Sequence, residues 1–409
     1  MKIIKKLSLL SIMLLALITN TSAQEALSIG TDFGKGLDSS GEAIYAGNSY
    51  ASLGYHSFID IVPTVSSLES DIKQYNTSKN TSGAFFFHGH GAKEYIGWDY
   101  LGKGNNYSTG FIQDGVGTIT NYKKISSLNL NKTKIGIFMG CNTAQTTNNI
   151  SKYAQTKGVK VTTGWVYEII EGETDKWNEA FFSKLKSGKT FRDSYKYANS
   201  LSYTHNENMK THRVYGDATV KGTATTTNAA AANVLYENMD IDNRKKLTIS
   251  IKNKNDIKTL ITQNIKNNFD ENFNENDYEM EVSESPDGTI YDFNYMLDGA
   301  KTEHGYTALV ENNTIELYDN MDDFKNKIIS NYRTEYSKTN ATDLDNTKVI
   351  NEYAEEILKK YKEQYKDYVV SLHSTKKTYD DNEKRIVLNL YIKVTHKETG
   401  ATSIYREIL

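Results

Sequence analysis

The sequence predicts a mixed α/β layer fold over residues 24–220, followed by two small α+β modules at 234–330 and 331–409. Three observations predict it. Short apolar runs of strand length alternate with longer helix-like segments in the first half. Two of those runs, "AFFF" (84–87) and "IGIFM" (135–139), are continuously apolar, as in central strands covered on both faces. "KGTATTTNAAAAN" (221–233) has no large apolar residue and reads as a linker, after which the texture changes to alternating, meander-like segments.

In chain order, 42–55 suits a packed helix through Ile44, Tyr45, Tyr50 and Leu53, and "FIDIVP" (58–63) is a short strand. Residues 64–75 form a helix with Thr64 as N-cap and Val65, Leu68, Ile72 and Tyr75 along one face. The strand at 84–87 follows. Residues 95–130, rich in Gly, Asn, Ser and Tyr, read as hairpins or loops before the strand at 135–139. A helix at 143–156, a strand at 159–165 and helices at 174–187 and 190–203 complete the first half. Beyond the linker, a helix at 256–269 precedes strands at 278–284, 288–297 and 305–318, the last turning at Asn312-Asn313. A long helix at 346–368 then precedes strands at 366–374, 385–394 and 402–409, repeating the plan of helix and meander.

The length, 409 residues, suits two or three domains with a sizeable core. Residues 1–23 have a basic start, "MKIIKK", an apolar stretch, "LSLLSIMLLALI", and the small residues Thr21-Ser22-Ala23. They read as a signal peptide without the cysteine of a lipoprotein, so the chain is expected to be secreted. No later run approaches the ~18 apolar residues of a membrane span. The net charge of −3, with signs interspersed, gives no footprint for nucleic acid. Cys141 is the single cysteine, so no internal disulfide can form.

The chemistry concentrates in "GAFFFHGHGAKE" (83–94) and "IGIFMGCNTA" (135–144). His88 and His90, two apart, could share a metal ion if they stood on one face of a strand. The His-x-His-x-Asp-His pattern would need an aspartate at position 92 and a histidine at 93, and the chain has Ala92 and Lys93. His56, His205 and His212 have no ligand spacing, so no metal site is expected. A thiol pairs better with the pattern. If the two apolar strands are parallel neighbours, His90 and Cys141 both stand outside their carboxyl ends, where open α/β sheets bind ligands. A neighbouring imidazole activates a thiol that is mostly protonated at neutral pH. Gly89, Gly91 and Gly140 let a substrate carbonyl approach backbone N–H groups able to hold an oxyanion.

These stretches resemble the caspase-like (clan CD) cysteine peptidases, with Gly-His-Gly and Met-Gly-Cys most similar to the separase and CHAT-domain branch. "WNEAFFSKLKSGKTFRDSYKYA" and "RVYGDA" are similar to the closing part of gingipain-type members. The resemblance covers 25–220. It implies a mostly parallel sheet flanked by helices, Cys141 as nucleophile, His90 as general base and the backbone N–H groups of Gly91 and Cys141 as oxyanion donors. His88, also followed by glycine, is the alternative base. Met139, two before the nucleophile, lies where relatives line the pocket for the residue preceding the scissile bond (P1). It supplies no charge. Trp165, Glu168 and Asp175, with Glu171 and Glu173, lie where an acidic pocket wall would stand, which points to a basic P1 residue. No cofactor is required by this chemistry. Calcium binding occurs in some relatives, and Asp217 of "YGDA" reads as a turn residue in a chain without an EF-hand loop.

The expected partner is a protein or peptide substrate. Residues 234–409 are a pro-region, recruiting or surface-binding module, and "NRKKL" (243–247) is a site where a basic-specific enzyme would release them. The alternatives are a non-enzymatic binding protein on the same scaffold and a thiol transpeptidase.

Overall fold

The computed structural model describes residues 24–30, 38–61, 75, 83–101, 107–113, 122–124, 130–205, 207–224, 244–251, 256–321, 324, 344, 346–381 and 383–409. The expected signal peptide, all of the helix expected at 64–75 except Tyr75, and residues 225–233 of the linker lie outside them.

The first half runs β1 (Glu25–Ile29), α1 (Ser40–Ser52), β2 (His56–Asp60) and β3 (Ala84–His88). After them come β4 (His90–Ala92), β5 (Tyr95–Leu101), β6 (Tyr107–Gln113) and β7 (Tyr122–Lys124). The half closes with β8 (Ile135–Met139), α2 (Ile150–Thr156), β9 (Val161–Trp165), α3 (Glu173–Lys186), α4 (Phe191–Asn199) and β10 (His212–Gly216). Six of the strands form one sheet in the order β2-β1-β3-β8-β9-β10. All neighbours are parallel except β9 and β10. This is the mostly parallel, helix-flanked sheet the sequence predicts.

The continuous apolar runs serve both faces of that sheet, because successive side chains on a strand point opposite ways. Phe86, Ile135, Ile137 and Met139 pack with Ala43, Ala46 and Tyr50 of α1 and with Trp177, Phe181 and Phe182 of α3. Phe85, Phe87 and Phe138 pack on the other face with Ile150 and Ala154 of α2. The helix expected from 143 begins only at Ile150. Asn149 caps it, its side chain accepting the Lys152 N–H at 2.9 Å, while residues 143–148 run through turns and bends. The helix expected over 190–203 stops at Asn199.

The second half runs β11 (Lys246–Ser250), α5 (Ile257–Asn268), β12 (Tyr278–Ser285), β13 (Gly288–Leu297), β14 (Ala300–Glu311) and β15 (Thr314–Asp319). Next come α6 (Thr347–Gln364), β16 (Tyr368–Asp380), β17 (Arg385–His396) and β18 (Thr402–Ile408). Each module is a helix over an antiparallel meander, the first module's apolar cluster also takes in Tyr379 of β16 and Ile386 of β17, and β11 is an addition to the expected plan. The turn at Asn312-Asn313 forms as expected, with Asn312 at φ 53°.

The two halves are not independent. A second sheet of 12 strands runs through both modules and on into β4, β5, β6 and β7 of the first half. The join is a single pairing, Thr402 of β18 antiparallel to Gly91 of β4. Among the described residues no helix is long and apolar enough to cross a membrane.

Candidate active site

The site follows from the register of β3 against β8. The strands are parallel neighbours, Phe87 lies opposite Phe138, and both end together at His88 and Met139. The Gly89 N–H continues the ladder, donating to Met139 O at 3.1 Å. One residue later the chains carry His90 and Cys141 out of the same sheet edge.

Glycine makes the approach of these two ends close. A Cβ on Gly91 would lie 2.2 Å from Cys141 O and 2.5 Å from Cys141 N, and one on Gly140 would lie 2.8 Å from Gly89 O. Real side chains cannot stand at such separations, so His90-Gly91 and Gly140-Cys141 are in backbone contact because neither glycine carries a Cβ.

Both side chains are buried, His90 at 0% exposure and Cys141 at 2%. The Cys141 thiol donates to Ile169 O at 3.5 Å and accepts the Ile169 N–H at 3.3 Å. Burial pushes its pKa up to about 12 and the nearby Glu168 adds to this, against the opposing Ile169 N–H and Lys393 charge. In this state the sulfur is a thiol. The His90 ring shares a hydrogen bond of 2.5 Å between Nδ1 and Ser403 Oγ, and packs at 5.7 Å on the Tyr368 ring. Ser403 lies 313 residues along the chain, so no local sequence signal could have announced it.

His88 is held apart from this edge. Its Nδ1 lies 3.2 Å from Glu42 Oε1 with both side chains almost fully buried. The Thr174 hydroxyl donates to the same oxygen at 2.5 Å, and Asn178 Nδ2 donates to Glu42 O. Burial alone would raise the Glu42 carboxyl; the charge and hydrogen bond of His88 outweigh it, with help from Thr174, and the net shift is downward. Glu42 was not singled out in the sequence, where it is one acid on a weakly periodic helix.

The residues expected at the pocket are scattered. Met139 and Trp165 are fully buried in the core, Trp165 donating to Met209 O at 2.9 Å. Glu168 pairs with Lys393 of β17. Glu171 accepts the Asp38 N–H at 3.1 Å, and its carboxyl is pushed up to about 8 by burial and by the charges of Glu42, Asp38 and Asp175. Glu173 is buried and accepts the His205 N–H at 2.7 Å, whereas Asp175 is exposed. Asp217 makes a local turn, accepting from the Thr219 N–H and hydroxyl. Among the described residues no three His, Cys, Asp or Glu side chains converge to hold a metal ion. Arg244, in the expected release segment, donates to Ser200 O and Asn320 Oδ1 and lies over the Tyr197 and Tyr318 rings.

No family model and no curated protein matches the chain. Among solved structures it is similar to the Arg-specific cysteine proteinase gingipain R (RgpB), at 10% identity and a TM-score of 0.34, over 94% of this chain and 66% of that one. It is also similar to the complex of Porphyromonas gingivalis RgpB pro- and mature domains, at 11% identity and a TM-score of 0.34, over 94% of this chain and 68% of that one. The chain thus spans about two thirds of the length of the proteins it matches.

Proposed function

We propose that the protein is a secreted, caspase-like cysteine endopeptidase acting through Cys141 and His90. One observation carries the reading: β3 and β8 are parallel, in register and adjacent, so His90-Gly91 and Gly140-Cys141 leave the same sheet edge in backbone contact. That is where a substrate carbonyl would meet a nucleophile, a base and two backbone donors together. His90 takes the Cys141 proton as sulfur attacks the scissile carbonyl carbon, and the N–H groups of Gly91 and Cys141 hold the resulting oxyanion. His90 then passes the proton to the departing amine. Water, deprotonated by His90, cleaves the thioester and regenerates the thiol.

The basic P1 preference rests on Glu171, two residues past the thiol's neighbour Ile169 and raised by burial among other acids. A cationic side chain beside it would favour its ionised form. Secretion rests on residues 1–23, and kinship with the separase and CHAT branch on Gly-His-Gly and Met-Gly-Cys. Calcium has no motif behind it here.

The test is hydrolysis of a fluorogenic peptide library varied at P1, using the mature chain and its Lys393→Glu form, in which the Glu168 pair beside the buried thiol is broken, each with and without Cys141→Ala and His90→Ala. Activity is expected to vanish with Cys141→Ala and to fall by about 10²–10⁴ with His90→Ala, the contribution of a positioned acid–base group. Activity that survives Cys141→Ala would remove the reading. The second reading, a non-enzymatic binding protein, is favoured by the burial of the thiol and of His90. It predicts no hydrolysis even when both groups are uncovered.

A further inference from the structure

Three parts of the C-terminal module converge on the two residues assigned to catalysis. Thr402 pairs antiparallel with Gly91 and Ile404 bridges in parallel to Ile170, both along the edge of β18 that faces away from β17. The Glu171 N–H donates to Ile404 O at 3.4 Å. Ser403, between them, meets His90. The segment 402–404 is thus an extended strand backed by β17, with its other edge laid along β4 and the loop that holds the thiol through Ile169. An extended peptide adding to the edge of β4 would take the same path, using main-chain hydrogen bonds along that edge.

The contact is sealed. Ile404, Ile170 and Tyr391 form an apolar cluster with exposures of 1–3%. Tyr391 Oη shares a hydrogen bond with His205 Nδ1 at 2.8 Å, and Lys393 pairs with Glu168 in the loop itself. Tyr368 of β16 covers the His90 ring.

We propose that the protein is latent as made: β18 occupies the substrate path as an intramolecular strand, and a peptide substrate binds by replacing it beside β4. The proposal rests on the peptidase reading of Cys141 and His90. A cut at 243–247 does not by itself open the site, because Arg244 and β11 are anchored and β18 belongs to a separate module. Opening requires β18 to leave β4.

The test follows carbamidomethylation of Cys141 by iodoacetamide in the full chain, by mass, under native conditions and in urea. Labelling of the native chain is expected to be at least a hundredfold slower than in urea. Lys393→Glu is expected to accelerate it about tenfold by shifting the population of the open form, and Lys393→Glu with Glu168→Lys to restore the slow rate. Ile404→Asp, checked for fold by circular dichroism, is the stronger opening variant; should it fail to fold, the reciprocal charge pair decides alone. Native labelling at the urea rate, or no acceleration in any folded variant, would overturn the proposal. A variant whose thiol becomes accessible without hydrolysing any library peptide leaves the occlusion standing and removes the peptidase reading instead.

Discussion

His212 shows how a single buried residue is fixed by its partners. Asn199 Oδ1 accepts the Trp177 indole N–H at 3.0 Å, which turns Asn199 Nδ2 toward His212 Nε2 at 3.1 Å. An amide nitrogen only donates, so Nε2 is the bare nitrogen and Nδ1–H donates to Thr163 Oγ1 at 2.9 Å. The Thr163 hydroxyl passes its own proton on to Arg213 O. Protonating Nε2 would set two N–H groups face to face inside an aromatic cage of Trp165, Trp177 and Tyr195. Burial accordingly lowers its pKa to about 3. The folded state resists a proton that the unfolded chain accepts near 6.5, so stability is present above that value and is lost as pH falls from about 6.5 towards 3. Thermal midpoints between pH 7 and pH 4 should fall less steeply for His212→Gln than for the parent chain. Parallel slopes would show that His212 does not titrate in this way. In the sequence His212 is a histidine without ligand spacing, and only its cage reveals it as structural.

At the level of elements, the site is a crossing of two short backbones. β4 begins two residues after β3 ends, and it reaches over the end of β8 because Gly91 carries no side chain. Gly91→Ala would force Cβ against the backbone of Cys141, which cannot swing aside as a side chain can. The expected result is a loss of about 1–3 kcal/mol of stability, read by urea unfolding, together with loss of any hydrolysis. An unchanged midpoint and unchanged turnover would show that the approach is looser than 2.2 Å implies. The strands themselves were legible, since "AFFF" and "IGIFM" can only be buried on both faces. Their pairing was not, because parallel neighbours far apart in sequence leave no local trace. The helix start at 150 was missed for a local reason. The polar stretch 142–149 contains several residues that favour turns, and only Asn149 makes the cap.

Across the full chain, the two halves are held by polar contacts more than by a shared apolar core. Lys210 and Asp292 are 2.5 Å apart with side-chain exposures of 1% and 5%, and Thr307 donates to the same carboxylate. Elsewhere between the halves, Arg192 pairs with Asp287 and Glu311, Lys196 with Glu311, and the Tyr195 hydroxyl donates to Asp287. Lys210→Met would leave the Asp292 charge buried without its ion partner, and the expected cost is about 3–5 kcal/mol in urea unfolding. Replacing both, as Lys210→Met with Asp292→Leu, should recover most of that loss. Equal destabilisation in the single and double variants would show that packing, not the stranded charge, sets the cost.

Local sequence alone establishes the layers of the first half, the change of texture after the linker, and the residue types gathered around positions 88–91 and 139–141. An apolar run must be buried, and glycine beside a functional group admits another backbone; both properties belong to short stretches of chain. Folding in three dimensions adds that His88 faces Glu42 while His90 faces Ser403, and that the last strand of the chain closes over the first half's sheet edge. Those contacts join residues tens to hundreds of positions apart. Their energies come from long-range packing and hydrogen bonding, which no window of neighbouring residues contains.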